Sequence, residues 1–208
     1  MSYTRPQIYN LALSALQLSK EVSDVTTDQS NEVRVLNTNW NVAFESTLQD
    51  MDLDSTASIV TLELIANLST DDSYPWGYVY KYPSECIYFR RIVSGVKLDD
   101  YATHIPKSTG MYGDQKGIFT DESSAEAEII SKNVSLTTLS GMGALAIAYK
   151  LAYLSAPLIT GKGSKNLRSE IMGLYVDAKS EAIETDKNEN HYYEDSYKRS
   201  EWVRERLT

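Results

Sequence analysis

Apolar residues keep two different rhythms along this chain: every third or fourth position near both ends, and every second position in the middle. Thr4-Arg5-Pro6-Gln7 forms a capping box with proline in the first turn. Ile8, Leu11, Ala12, Ala15 and Leu16 follow at helical spacing, which predicts a helix over 4–19. Thr26-Thr27-Asp28-Gln29 offers a second box, and Val33, Leu36, Trp40, Ala43, Phe44, Thr47 and Leu48 trace a stripe that predicts a helix over 27–51. The short connection between them predicts a helical hairpin, with Tyr9, Trp40 and Phe44 in its core. A third helix is predicted over 136–154, rich in Gly and Ala, and ended by Pro157 and the Gly161-Lys162-Gly163 turn. A fourth is predicted over 164–187, with Leu167, Ile171, Leu174, Tyr175, Ala178 and Ile183 on its apolar side.

The middle of the chain reads as strands. In the segment from Pro75 to Val93, Tyr78, Tyr80 and Tyr82 share one face of an extended arm. On the second arm Ile87, Phe89, Arg91 and Val93 lie opposite Cys86, Tyr88, Arg90 and Ile92. Pro83 has no N–H to donate, so the turn between the arms falls at Pro83-Ser84-Glu85. Ile59-Val60-Thr61-Leu62 fits a strand, while Leu62 to Ala66 fits a helical turn equally well. Ile118 to Asp121 and Ala127 to Ile130 read as two short strands around Glu122-Ser123-Ser124. The expected fold is therefore α+β: about four helices, a small antiparallel β-rich insertion over about 57–132 with a long polar loop at 94–117, and an extended C-terminal tail.

Charge changes this picture by position. Between Glu21 and Glu85 twelve acids face only Arg34 and Lys81, whereas from Leu136 onward ten acids balance ten bases. The excess predicts an acidic face that repels nucleic acid, or one that serves solubility alone. In the tail, Tyr192, Tyr193, Tyr197 and Trp202 are interleaved with charges of both signs. That composition suits a docking segment over 191–208, with a short folded-back helix as the alternative. Ala144 to Ile159 is shorter than a bilayer span and carries Lys150, which predicts a buried helix rather than a membrane segment.

The search for chemistry assigns no catalytic, metal or cofactor residues. One cysteine and two distant histidines make no zinc set. Asp50, Asp52 and Asp54 alternate as in calcium loops but lack the glycine and distal glutamate. Gly161-Lys162-Gly163-Ser164 has neither the order nor the preceding strand of a phosphate loop. His104 and His191 read as solvated, and Cys86 as a small apolar strand residue.

Three stretches in this order resemble the head-to-tail adaptor, or connector, proteins of short-tailed bacteriophages, the tail tubular protein A family. They are Ile8 to Leu16, Trp76 to Ile87, and Leu151 to Thr160 with the helix through Leu174-Tyr175, Ala178 and Ala182. The sequence departs from the family at Glu85, where aspartate is usual before the cysteine, and over Leu53 to Thr70, which lacks an aromatic cluster. The resemblance implies a virion structural protein and not an enzyme: an adaptor domain over 1–190 and a docking tail that grips the portal. It implies a homo-oligomeric, dodecameric ring at the head-tail junction, assembled in the host cytoplasm, with a tail nozzle or a further tail ring below it. Double-stranded DNA would pass through without being read, and no membrane is involved. The tail aromatics would dock on the portal, and Tyr78, Tyr80, Tyr82, His104 and Tyr112 would form an inter-ring or inter-subunit surface. Another virion ring subunit, for head completion or the tail nozzle, is the nearest alternative; a small cell-wall hydrolase is more remote.

Overall fold

A computed structural model describes residues 3–71, 73–93, 105, 107–161 and 165–205, with the stretch from 190 onward given as backbone alone. The chain folds as two compact units, one made of Met1–Thr56 with Ser135–Thr208 and the other of Ala57–Val134. The fold is α+β, with four helices and two small antiparallel sheets among the described residues.

The first unit holds α1 (Arg5–Ala15), α2 (Asn31–Met51), α3 (Gly141–Ile159) and α4 (Lys165–Glu205). The Thr4/Gln7 capping box is formed, with Pro6 in the first turn. The second box is not: Thr26 N–H donates to Asp24 Oδ1 and Ser30 N–H to Asp28 Oδ1, both at 2.8 Å. Those two aspartates turn the chain locally, and the helix begins only after Ser30. Every residue of the predicted α2 stripe is buried.

By length and composition α3 could cross a membrane. Here it is the central helix of the unit and packs against α1, α2 and α4. Ala144, Ala146, Ala148, Ala152 and Ala156 along it are fully buried, small enough for its neighbours to approach closely. The helix also runs through Pro157, two residues before its end, where the ring costs it only one backbone bond. The hairpin expected of α1 and α2 is loose: each lies mainly on α3, and they meet through long side chains. Tyr9 and Trp40 rings stand 5.6 Å apart, the Tyr9 hydroxyl donates to Asn37 Oδ1 at 2.8 Å, and the Arg5 guanidinium lies 4.7 Å over the Trp40 ring.

Helix α4 does not stop near Lys187 to release an extended tail; its backbone stays helical to Glu205. No glycine or proline follows Gly173, so nothing in the sequence breaks the helix there. Ile171, Tyr175, Ala178 and Ala182 are buried on it, whereas Leu174 stands 46% exposed, outside the packed stripe where it was expected. Three hydrogen bonds at two points fasten the helix. Tyr175 donates to Asp50 Oδ2 at 2.6 Å, and the buried Asp186 carboxylate accepts from the backbone N–H groups of Asp54 (2.7 Å) and Ser55 (3.1 Å). Those N–H groups open a 3-10 turn, Asp54–Thr56, and have no acceptor within it.

The second unit contains β1 (Ala57–Thr61), β2 (Leu64–Asn67), β3 (Tyr78–Lys81), β4 (Cys86–Ile92), β5 (Ser108–Tyr112), β6 (Gln115–Thr120) and β7 (Glu126–Ser131). One sheet has the order β1-β7-β4 and the other β2-β3-β6-β5, all pairs antiparallel. The stretch over Leu62 to Ala66, left open between strand and helical turn, resolves as a break and a second strand. The two arms of the tyrosine-rich segment exist and turn where Pro83 predicts, but they do not pair with each other. At Tyr82 to Glu85 the chain leaves one sheet and enters the other, and it does the same between β1 and β2 and between β6 and β7. Leu62, Tyr80 and Ile118 therefore share one core cluster with Phe89, Ala127 and Ile129.

Strand β4 also breaks the expected alternation. Its buried residues are Phe89 and Ile92, three apart, because the register shifts between Phe89 and Arg91.

Replacing Asp186 with alanine should lower the unfolding free energy by about 2 kcal/mol, since two backbone donors lose a charged acceptor. Urea denaturation of the full chain measures this, and Asp186→Asn should recover part of the loss. Gly117→Ala should destabilise the second unit by about 1–3 kcal/mol, because the added carbon would stand 2.8 Å from Val79 Cγ2.

Candidate functional site

Strand β3 is central in its sheet, with β2 on one side and β6 on the other, so both of its edges are paired. The face that carries the tyrosines points inward. Tyr80 is buried and donates its hydroxyl to the Glu122 carbonyl at 2.7 Å; Tyr78 and Tyr82 are half-buried against the same cluster. Tyr80 therefore cannot belong to a docking surface, and the alternation that made it conspicuous is the mark of a core strand. Tyr112 lies on the opposite side of that sheet, half-buried with Trp76 beside Leu68, Val79 and Phe119. Tyr74 stacks on Phe119 with ring centres 6.2 Å apart and tilts against Tyr112 at 5.8 Å. Gly110 and Gly117 are paired across β5 and β6, and the Phe119 ring covers both. His104 lies outside the described residues, as do the side chains of His191, Tyr192, Tyr193, Tyr197 and Trp202, most of the loop over 94–106, and Lys162, Gly163 and Ser164.

Two polar groupings stand out in the β unit. On β7, Glu128 accepts from Arg90 Nη1 at 2.8 Å and from Arg91 Nε at 2.6 Å, with Glu128 and Arg90 largely buried. Burial pushes the Glu128 carboxyl up, but hydrogen bonds from Arg90 and Arg91 outweigh it and hold the group below its ordinary value. Sequence reading missed this cluster because Arg90 and Arg91 occupy opposite faces of a regular strand. The register shift beside them brings both to one carboxylate.

The second grouping is an open cleft of about 410 Å³ lined by Lys81, Tyr82, Pro83, Ser84, Cys86, Gln115 and Lys116. The Cys86 thiol donates to the Tyr82 hydroxyl at 3.4 Å, and the exposed Lys116 ammonium stands 3.5 Å from the centre of the Tyr82 ring. Tyr82 packs against Phe89 at 6.3 Å, and the half-buried Lys107 sits 3.9 Å over the Phe89 ring. Burial raises the thiol pKa of Cys86 and the phenol pKa of Tyr82, so both stay protonated at neutral pH. Neither lysine carried any signal in sequence; Lys116 lines the cleft, and Lys107 lies over the ring that packs against Tyr82.

Asp50, Asp52 and Asp54 do not converge. Asp50 is held by Tyr175 and Lys150, Asp52 ends α2 in a left-handed conformation (φ 48°), and Asp54 opens the 3-10 turn. Among the described residues no three His, Cys, Asp or Glu side chains come together as metal ligands. No protein-family model and no curated protein matches the sequence.

Because the folded-state pKa of Glu128 is depressed, its contribution to stability is complete above the unfolded value and is lost as pH falls through the folded one. Glu128→Gln should therefore flatten the acid limb of the stability profile below about pH 4.5. At neutral pH it should cost about 1–3 kcal/mol, read by urea unfolding across the pH range.

Proposed function

We propose that this chain is a structural subunit of a short-tailed bacteriophage virion, a ring-forming adaptor that joins the portal to the tail around the channel for DNA. Three features support the reading. The sequence resembles that family in its opening helix, its Trp76 to Ile87 segment and its closing helices. A β unit is inserted between two pairs of helices, the order that the resemblance implies. And α4 runs on past its last described anchor, Asp186, to Glu205.

That last observation carries most of the weight. The final described anchor of α4 is Asp186, yet the helix continues to Glu205, a further stretch of roughly 28 Å at the rise of an α-helix. A free helix of that length gains little from its own backbone bonds and is stabilised chiefly by packing. Its sequence supplies Tyr192, Tyr193, Tyr197 and Trp202, ring side chains that bury a large area in a partner at small entropic cost. A helix that grips a neighbouring ring accounts for both facts. In such a ring each copy presents two different patches to its neighbours, since a closed head-to-tail contact is heterologous.

The test is truncation after Asn190. The shortened chain should keep the urea midpoint and helical circular dichroism of the anchored unit, yet fail to co-sediment with portal rings that bind the full chain. Equal attachment by both would take α4 out of the portal contact. Finding the full chain absent from the head-tail junction in electron micrographs of native particles would overturn the assignment itself.

A further inference from the structure

The cleft beside Cys86 combines features that a purely structural corner does not need. Lys107 and Lys116 make no ion pair with the described residues, although the chain carries 29 acids against 20 bases. Instead each ammonium rests on an aromatic ring, Lys116 on Tyr82 and Lys107 on Phe89. Such contacts hold a cation in place while leaving its outward hydrogens uncommitted. Lys107 is half-buried, and burial alone lowers its pKa, so an anion nearby would favour its charged form. The Tyr82 hydroxyl accepts from the Cys86 thiol and has no acceptor for its own proton among the described residues. Ser84 lies at the rim, its hydroxyl donating to Glu85 Oε2 at 3.2 Å.

The frame under these groups is fixed by backbone bonds. Tyr82 N–H donates to the Lys116 carbonyl at 3.1 Å, Cys86 N–H to Pro83 at 3.1 Å, and Lys132 N–H to Glu85 at 2.9 Å. The donors are therefore held in place before any ligand arrives.

We infer that this cleft is a carboxylate-binding site, which receives an aspartate or glutamate side chain of a neighbouring protein segment between Lys116 and the Tyr82 hydroxyl, with Lys107 over the adjoining Phe89 ring. A carboxylate accepts several donors at once, and charge-assisted bonds of this kind are the strong ones. A nucleic-acid backbone is a poorer fit. Glu63 pairs with Lys81 at the edge, and Glu85 and Asp114 lie beside the cleft in sequence, so a string of phosphates would meet their charges. A single acidic side chain reaches the donors without that cost. This inference is independent of ring formation and of the portal contact.

Cys86 is the only cysteine, which makes it a built-in reporter. The rates of its alkylation by anionic iodoacetate and neutral iodoacetamide depend on the same thiol pKa, so their ratio reads the local potential alone. In the folded full chain that ratio should exceed the ratio in urea-unfolded chain by at least about threefold. Lys116→Gln, at an exposed position, should bring it down by half or more while leaving the circular dichroism spectrum unchanged. A millimolar peptide carrying a single glutamate between neutral residues should slow alkylation of the native chain but not of that variant, and a DNA duplex supplying an equal concentration of charge should not. A folded-chain ratio no higher than the unfolded one, no protection by the peptide, or protection by DNA equal to that by the peptide would each overturn the carboxylate assignment.

Discussion

A nineteen-residue helix with alanines and large aliphatics on nearly every side cannot face water, and the helical unit is the answer to that constraint. Gly143 to Ala156 on α3 leaves no broad polar face, so the other three helices must be laid around it. Its small residues set how closely they come. What remains for α1, α2 and α4 is to present one apolar stripe each and keep the rest polar, which their sequences do. The contacts among these outer helices are then made by long side chains, Arg5 over Trp40 or Tyr175 reaching Asp50, rather than by close backbone approach.

This explains which parts were legible in the sequence. A stripe such as Val33 to Leu48 is a one-dimensional signal, because helix periodicity depends only on neighbours three and four positions away. The Thr4 box was legible for the same reason. The Thr26 box failed because Asp24 takes the Thr26 N–H that the Gln29 side chain would have accepted, while Asp28 turns the chain at Ser30. Leu174 misled because an apolar residue beside the packed stripe looks, in projection, like part of it. The end of α4 was misplaced since charged and aromatic composition was read as extended chain, although no breaker residue stands there.

Less of the β unit could be read, and less still of its polar sites. Several strand positions were right, but β5 and the start of β6 fall where a loop over 94–117 was expected, and pairing depends on where the chain changes sheet, which is settled by contacts distant in sequence. Pro83 marked the turn but not that the strands beyond it part company. Tyr80 was conspicuous and proved to be core; Lys116 was inconspicuous and lines the open cleft beside the thiol. Surface chemistry assembled from three separate strands leaves no periodic trace.

The first and last strands of the β unit lie side by side, with Ala57 opposite Ile130. The chain thus leaves the helices and returns to them at almost the same point. To a polymer searching for its native contacts, the ring closed between α2 and α3 is long only until those two strands zip; after that it behaves as a tight link with little loop entropy to lose. The same geometry makes the inserted unit a cassette, one that sequence drift could enlarge, shrink or exchange while the bundle kept its path.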